Sequence, residues 1–559
     1  GTKVNSMFDG EVVTSINDDG DKEYGGLLIL KHKVEDFEFY TLYGHNKVRS
    51  VLKNKIGAKI KKGDVIAEIA NYPENGNWAP HLHFQIMLST LNYKIDFPGV
   101  CYYNQIEVWK DLCPNPNLLF KSVELNYTND KSDGELINYR KKHLGKSLKL
   151  HYEEPINIVR GEGVYLISKN GRKYLDTINN VAHVGHENES VVIEGQSQMS
   201  ILNTNSRYLH KSINELAKEI IQTLPEKLNV IHFVNSGSEA NELAVRMMKS
   251  HTGSNDIIVS ENGYHGNTNI CVDISSYKFD GKGGKGAPKN THVIPMPTKF
   301  NGKYKGEEAC EGYITEIKNS IKNLKSKNRD LGGFIIEPII SCGGQVELPD
   351  GFLKTAYDLI RENGGICISD EVQVGCGRLG ESFWGFELHD VIPDVITIGK
   401  PLGNGHPIGA VVCTSEIAES FANGMEFFNT FGGNPVSCSI ATQVLKVVKN
   451  ENLQKNAKTI GNYFKNELKN LSDKYDIIGD VRGQGLFLGI EFVDHKMNPL
   501  FKETKYIVNR LKDFGILASL DGPNNNVIKI KPPLIFNKDN CDTFIFYLHK
   551  ILEEDFLNK

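Results

Sequence analysis

Two short apolar runs, Ile366-Cys-Ile-Ser and Val395-Ile-Thr-Ile, each lead straight to a charged side chain, Asp370 and Lys400. The runs are continuous rather than alternating, the pattern of strands buried on both faces of a mostly parallel sheet. Ile231-His-Phe-Val, Ile257-Ile-Val and Phe334-Ile-Ile read the same way, with helical stretches such as Glu239–Lys249 and Gly351–Asn363 between them. An open α/β sheet binds its ligand at the carboxyl ends of its strands. An acid and an amine placed at two such ends are therefore candidates for chemistry. A carboxylate ending a buried strand is costly unless paired.

Two further stretches sit at strand ends. Asn235-Ser-Gly-Ser-Glu-Ala-Asn follows the run ending at Val234 and opens a helix. Small residues there expose N–H groups to an anion, although Ser-Gly-Ser serves equally as a helix cap. Asn262-Gly-Tyr-His-Gly follows the run ending at Val259, and Tyr264 suits either stacking on a flat ligand or core packing. A strand-end carboxylate pairs well with a pyridinium N–H, and a desolvated strand-end lysine suits covalent attachment to an aldehyde.

The order of phosphate loop, aromatic, strand-end Asp and strand-end Lys resembles the fold-type-I pyridoxal-phosphate enzymes of the class III aminotransferase family. Asp-Glu-Val-Gln-Val-Gly-x-Gly-Arg at 370–378 and the Lys400 segment carry the likeness, which runs from about Tyr139 to the C-terminus. The resemblance implies an α/β fold, with a large, mostly parallel sheet domain and a smaller α+β domain. It also implies the cofactor pyridoxal 5′-phosphate, carried covalently by Lys400, with Asp370 on its ring nitrogen. Gly237 and Ser238 would hold the cofactor phosphate, Tyr264 and Val372 would flank the ring, and Gln373 would bond its phenolic oxygen. Thr430 would reach the cofactor of a neighbouring subunit, which implies a homodimer with shared active sites.

Within the family the sequence most resembles phospho-lyases acting on ethanolamine phosphate or phosphohydroxylysine. Asn180-Val-Ala-His-Val-Gly-His, Leu202-Asn-Thr-Asn-Ser-Arg-Tyr-Leu-His, Phe427–Pro435, Asp521-Gly-Pro and Val527-Ile-Lys-Ile-Lys-Pro-Pro-Leu carry that resemblance. Members that bind an α-amino acid usually hold Arg where this chain has Lys529. Arg grips a planar carboxylate by a two-pronged fork, whereas Lys offers a point charge that suits a tetrahedral phosphate. The expected reaction is elimination of phosphate and ammonia from a phosphorylated amine; transamination of a free amine is the alternative. Asn203, Asn205, Arg207 and Lys529 are the expected substrate contacts.

Residues 1–112 differ in character, with short strands punctuated by Gly and Asn-Gly turns. Residues 113–134, with Pro114-Asn-Pro-Asn, read as a linker, and 135–559 as the cofactor domain. Leu42-Tyr-Gly-His45, Ile60-Lys-Lys-Gly-Asp-Val-Ile and Pro80-His81-Leu-His83-Phe resemble the all-β LytM or lysostaphin-like zinc endopeptidases. That family's remaining His and Asp ligands precede a Gly-Thr-x-Val segment, here Gly1-Thr-Lys-Val. With His45, His81 and His83 alone, no metal site and no peptidase activity are expected, and a scaffold role is the expectation. The missing initiator Met suggests a longer natural protein, and some bacterial relatives carry a fused upstream kinase.

Bulk properties narrow the classes further. A net charge of −5 without a Lys/Arg stripe argues against nucleic-acid binding. No apolar stretch is long enough to span a membrane. Ten cysteines at unrelated spacings, without CxxC, point to reduced thiols and a cytoplasmic setting.

Overall fold

A computed structural model describes residues 1–35, 37–91, 93, 97–102, 105–120, 133–169 and 171–557. Most of the expected linker, residues 121–132, lies outside the described residues. Its described start, expected to be irregular, holds one helical turn, Asn117–Phe120, entered where Asn115 Oδ1 accepts the N–H of Asn117. The chain divides into two compact units, Gly1–Gly161 with Leu166–Tyr174, and Glu162–Tyr165 with Leu175–Lys559.

The first unit is built on a five-stranded antiparallel sheet of β1 (Gly10–Asp18), β2 (Gly25–Val34), β3 (Phe37–Asn46), β4 (Lys59–Ile60) and β5 (His83–Met87). The spatial order is β4-β1-β2-β3-β5. Its central strand explains the run Leu27-Leu-Ile-Leu. Leu28 and Leu30 pack with Val12, Tyr43 and Ile66 on one face, while Leu27 and Ile29 pack with Leu42, Met87 and Phe97 on the other. Both faces of this strand are covered, so its apolar residues are continuous.

The second unit carries a seven-stranded sheet: β6 (Val230–Val234), β7 (Asp256–Ser260), β8 (Thr291–Ile294), β9 (Leu331–Ile336), β10 (Ile366–Asp370), β11 (Val395–Ile398) and β12 (Gly409–Cys413). The order is β6-β12-β11-β10-β9-β7-β8. Pairing is parallel from β11 through β8, whereas β12 runs against both neighbours, so β6 points the same way as β11. The carboxyl ends of β6, β7, β10 and β11 therefore share one edge.

Helices cover both faces of this sheet. Ile258, Phe334 and Ile336 pack under helices Ala309–Ser326 and Phe352–Glu362. Ile257, Val259, Ile335 and Ile368 pack on the other side with helix α1 (Gly237–Thr252). A smaller antiparallel sheet follows, with β13 (Ile478–Gln484), β14 (Phe487–Phe492), β15 (Ser519–Asp521) and β16 (Val527–Ile530) in the order β13-β14-β16-β15. The strands expected from residues 231, 257, 334, 366 and 395 are all present.

One buried polar pair ties segments of this unit together. Arg378 is fully buried and donates to the carbonyls of Leu486 and Pro532 and to Nδ1 of His183, 3.2 Å away. His183 Nε2 donates in turn to the Cys376 carbonyl at 2.8 Å. This arrangement requires the neutral imidazole, because Nδ1 must accept. Burial, reinforced by the guanidinium, pushes His183 down to about 3. The folded state thus resists a proton that the unfolded chain accepts near pH 6.5. Stability from His183 is complete above about pH 6.5 and is lost as pH falls toward 3. Urea unfolding midpoints of His183→Gln should show a shallower decline than the parent across that window.

Candidate active site

Four strand ends converge on a cavity of about 210 Å³ lined by Ser236, Gly237, Ser238, Asn241, Tyr264, His265, Gly266, Asp370, Val372, Gln373 and Lys400. Seven expected cofactor residues, Gly237, Ser238, Tyr264, Asp370, Val372, Gln373 and Lys400, meet there. Lys400 lies two residues beyond β11, at the start of a 3₁₀ turn running to Gly403.

Asp370 ends β10 and is 2% exposed. Its Oδ2 accepts from Asn241 Nδ2 and from His265 Nδ1, both at 2.8 Å, and its Oδ1 accepts from the Val372 N–H at 3.1 Å. A carboxylate offers about four acceptor positions, so one remains for a further N–H in the cavity. The neighbouring Glu371 is committed elsewhere. It accepts from the N–H groups of Gly385 and Phe386 and from the Ser369 hydroxyl. Successive residues at a strand end point to opposite sides, which separates the two acids.

In the same cavity wall α1 begins at Gly237, after the cap Ser236, whose hydroxyl accepts the N–H of Glu239. The first N–H groups of a helix lack internal acceptors and favour an anion. Close approach explains the small residues. A methyl at Gly237 would lie 2.7 Å from Val372 Cγ1. Gly266, at φ +133°, would bring one within 2.6 Å of the Ser238 hydroxyl. Gln373 is oriented by Asn180, whose Nδ2 donates to its Oε1 at 2.7 Å, leaving the amide N–H groups of Gln373 to donate elsewhere. Tyr264 packs edge-on to Tyr277, and burial raises the phenols of both.

The donor set fits pyridoxal phosphate. It combines a buried carboxylate with one acceptor position left, an anion-binding helix start, Tyr264 and Val372 in the cavity wall, and an amine at Lys400.

Other expected residues stand apart from the cavity. Thr430 is exposed. Asn203 Oδ1 accepts from the Val436 N–H, and Asn205 Oδ1 accepts from the Arg207 N–H. Arg207 donates to Glu426 at 3.0 Å and covers the Phe428 ring. The 203–207 segment thus associates with the loop that carries Thr430. Lys529 lies on β16, with its ammonium 3.6 Å from Asp521.

Sequence reasoning passed over Asn241, His265, Asn180, Glu337 and Lys531. Asn241 and His265 lie inside stretches already singled out, but only the fold shows that they converge on Asp370. Glu337 is fully buried behind them, bonded to Ser341, and burial with the nearby Asp370 pushes it up to about 7.

In the first unit, His45, His81 and His83 gather as expected, with His45 and His81 ring centroids 4.5 Å apart. His45 Nδ1 bonds to the Asn75 carbonyl, and burial pushes His45 down to about 4. Among the described residues, no three His, Cys, Asp or Glu side chains are grouped to hold a metal.

Residues 149–552 match the model for aminotransferase class-III, and residues 1–95 match peptidase family M23. The chain belongs to the class III aminotransferase family. Enzymes of class III use pyridoxal phosphate, and this chain is a pyridoxal-phosphate-dependent enzyme. It is 44% identical over 431 residues to the Drosophila melanogaster protein named alanine–glyoxylate aminotransferase 2-like, covering 75% of this chain and 87% of that one. It is 36% identical over 440 residues to the Caenorhabditis elegans ethanolamine-phosphate phospho-lyase homolog 1, covering 76% and 94% respectively. Among solved structures it resembles an Arthrobacter phospholyase in complex with phosphoethanolamine. That match has a TM-score of 0.72 at 35% identity, covering 75% of this chain and 99% of the other. The ten cysteines are free, and no helix among the described residues is long and apolar enough to cross a membrane.

The hydrogen bonds at Asp370 generate a structural test. Asn241→Ala removes one donor from a buried carboxylate and should lower unfolding free energy by about 1.5–3 kcal/mol, measured by denaturant titration of the protein without cofactor.

Proposed function

We propose that this chain eliminates phosphate and ammonia from a phosphorylated amine of the ethanolamine phosphate or phosphohydroxylysine type, leaving an aldehyde. The observation that carries this reading is Lys529, on β16 beside Asp521, in place of the Arg that grips an α-carboxylate. The phosphoethanolamine bound in the Arthrobacter relative supports the same substrate class.

Gly237 and Ser238 would hold the cofactor phosphate at the start of α1, Tyr264 and Val372 would flank the ring, and Gln373 would donate to its phenolic oxygen. When bound, pyridoxal phosphate supplies an aldehyde that engages the substrate amine and a ring that accepts electrons from the adjacent carbon. Asp370 would hold a positive charge at the ring nitrogen, and His265 and Asn241 fix the carboxylate for that task. Lys400 carries the proton, taking it from the amine-bearing carbon once its amine is free. The carbon–oxygen bond to phosphate then breaks, its electron pair leaving on phosphate. One water is consumed overall, yielding aldehyde, ammonia and phosphate.

Transamination is the second reading, favoured by the aminotransferase name of the Drosophila relative. The two part on products. Holoenzyme given ethanolamine phosphate and no keto acid should release phosphate and ammonia in equal amounts. Turnover that needs pyruvate and releases no phosphate would reverse the order.

The active site is further proposed to be shared between two copies of the chain. Thr430 stands in an exposed loop with Met425 and Phe431, 73% and 68% exposed, and Leu209 and Ile201 are exposed nearby in sequence to Arg207. Exposed apolar side chains of this size support the reading that this surface meets a second copy. Thr430 and the associated Asn203, Asn205 and Arg207 would then serve the neighbouring site. Hybrid dimers of Lys400→Ala with Thr430→Trp should regain one working site per pair, whereas either variant alone stays inactive. Failure to regain activity in dimers of verified mixed composition would refute sharing.

A further inference from the structure

The smaller sheet delivers a second lysine that the reading above does not use. Lys529 and Lys531 are two apart along an extended segment and so project to the same side. The Lys531 backbone is pinned, since its N–H donates to the Thr177 carbonyl at 2.6 Å and the following Pro532 carbonyl accepts from Arg378. A residue before proline is held extended, which keeps the two lysines in register. Lys531 is 4% exposed, with its ammonium 5.3 Å from the centre of the Phe487 ring.

Both ammonium groups share one carboxylate. Asp521 Oδ2 lies 3.6 Å from Lys529 Nζ and 4.0 Å from Lys531 Nζ, and accepts from Gln345 Nε2 at 3.1 Å. Neither lysine distance is that of a direct hydrogen bond. The nearby Cys342 adds no charge, because burial pushes its thiol up to about 12. Asp521 is thus divided between a half-buried lysine and a buried one, and neither ammonium is closely paired. The lysines are anchored near the cavity: the Lys531 N–H bonds to Thr177, three residues before Asn180, whose side chain orients Gln373 in the cavity. Burial, with Lys529 next, brings Lys531 down to about 8.

We propose that Lys531, together with Lys529, forms the subsite for the substrate's phosphate, and that Asp521 is the internal anion from which an incoming phosphate takes the two lysines. This rests on the phospho-lyase reading and names the part of the site that selects a dianionic phosphate over a carboxylate. Lys531 supplies a compact, largely buried charge, and the loose Asp521 pairing leaves its ammonium protons ready to donate. Asp521 keeps the empty subsite from carrying two unpaired cations.

The test compares holoenzyme with Lys531→Met, Lys531→Arg and Asp521→Asn. Ethanolamine phosphate is the substrate, and inorganic phosphate is the probe, followed by calorimetry and as an inhibitor. Lys531→Met should raise KM and weaken inorganic phosphate binding together, by roughly 10- to 100-fold, with kcat less affected. Lys531→Arg should restore most of both. Asp521→Asn should tighten phosphate binding, the opposite direction to a loss of structure. Borohydride tagging of residue 400 by pyridoxal phosphate checks that each variant still loads cofactor. Unchanged KM and phosphate affinity in a cofactor-loaded Lys531→Met would overturn the subsite, as would weaker phosphate binding in Asp521→Asn. If the parent releases no phosphate from ethanolamine phosphate, the phospho-lyase reading falls. Calorimetry with inorganic phosphate still decides the subsite in that case.

Discussion

A carboxylate buried inside the protein is the constraint on which the second unit turns. Asp370 ends the central strand β10, away from water, and is tolerated there because Asn241, His265 and the Val372 N–H donate to it. Those donors come from helix α1, from the segment after β7 and from the turn after β10, so the carboxylate can be satisfied only when three parts of the fold are assembled. One acceptor position is left over, and it faces the cavity that also holds Lys400. A cofactor with a ring N–H would complete the same hydrogen-bond requirement that stabilises the protein.

The surrounding architecture follows from that edge. The antiparallel strand β12 between β11 and β6 turns β6 back into line with the parallel strands, which brings the start of α1 beside Asp370 and Lys400. Glycines at 237 and 266 allow the chain segments to approach more closely than any side chain permits. Arg378 and His183 knit this edge to the smaller sheet through the carbonyls of Leu486 and Pro532. The same Pro532 contact holds Lys531 in place, so the 370–378 segment and the lysine pair at the end of β16 are mechanically joined. Charge selection near the site depends on that connection.

Different kinds of residue were legible to different degrees. The buried strands were clear because a strand covered on both faces must be apolar throughout, as β7 and β9 show with their alternate residues packed on opposite helices. Gly237, Ser238, Tyr264, Val372, Gln373 and Lys400 were legible as a motif order, and the fold brings them to one cavity. Asn203, Asn205, Arg207 and Thr430 belong to a separate surface in a single copy, since their neighbours are one another and the 426–436 segment. Lys529 stood out on its position in the motif, while the more deeply buried Lys531 did not. A lysine two residues further along a strand looks equivalent until the opposite sheet face and Phe487 are in place.

By itself the sequence determined the buried strands of the larger sheet, their mostly parallel character, and the two strand ends that carry an acid and an amine. These properties are local, set by side-chain periodicity and by turn residues within a few positions of one another. Tertiary structure alone decided which polar groups satisfy Asp370, that Glu371 faces away from it, that His183 is neutral, and that Lys529 and Lys531 share Asp521. Each of those is a matter of burial and of distances between residues far apart in the chain. The free energy of a buried charge depends on the partners that folding brings to it.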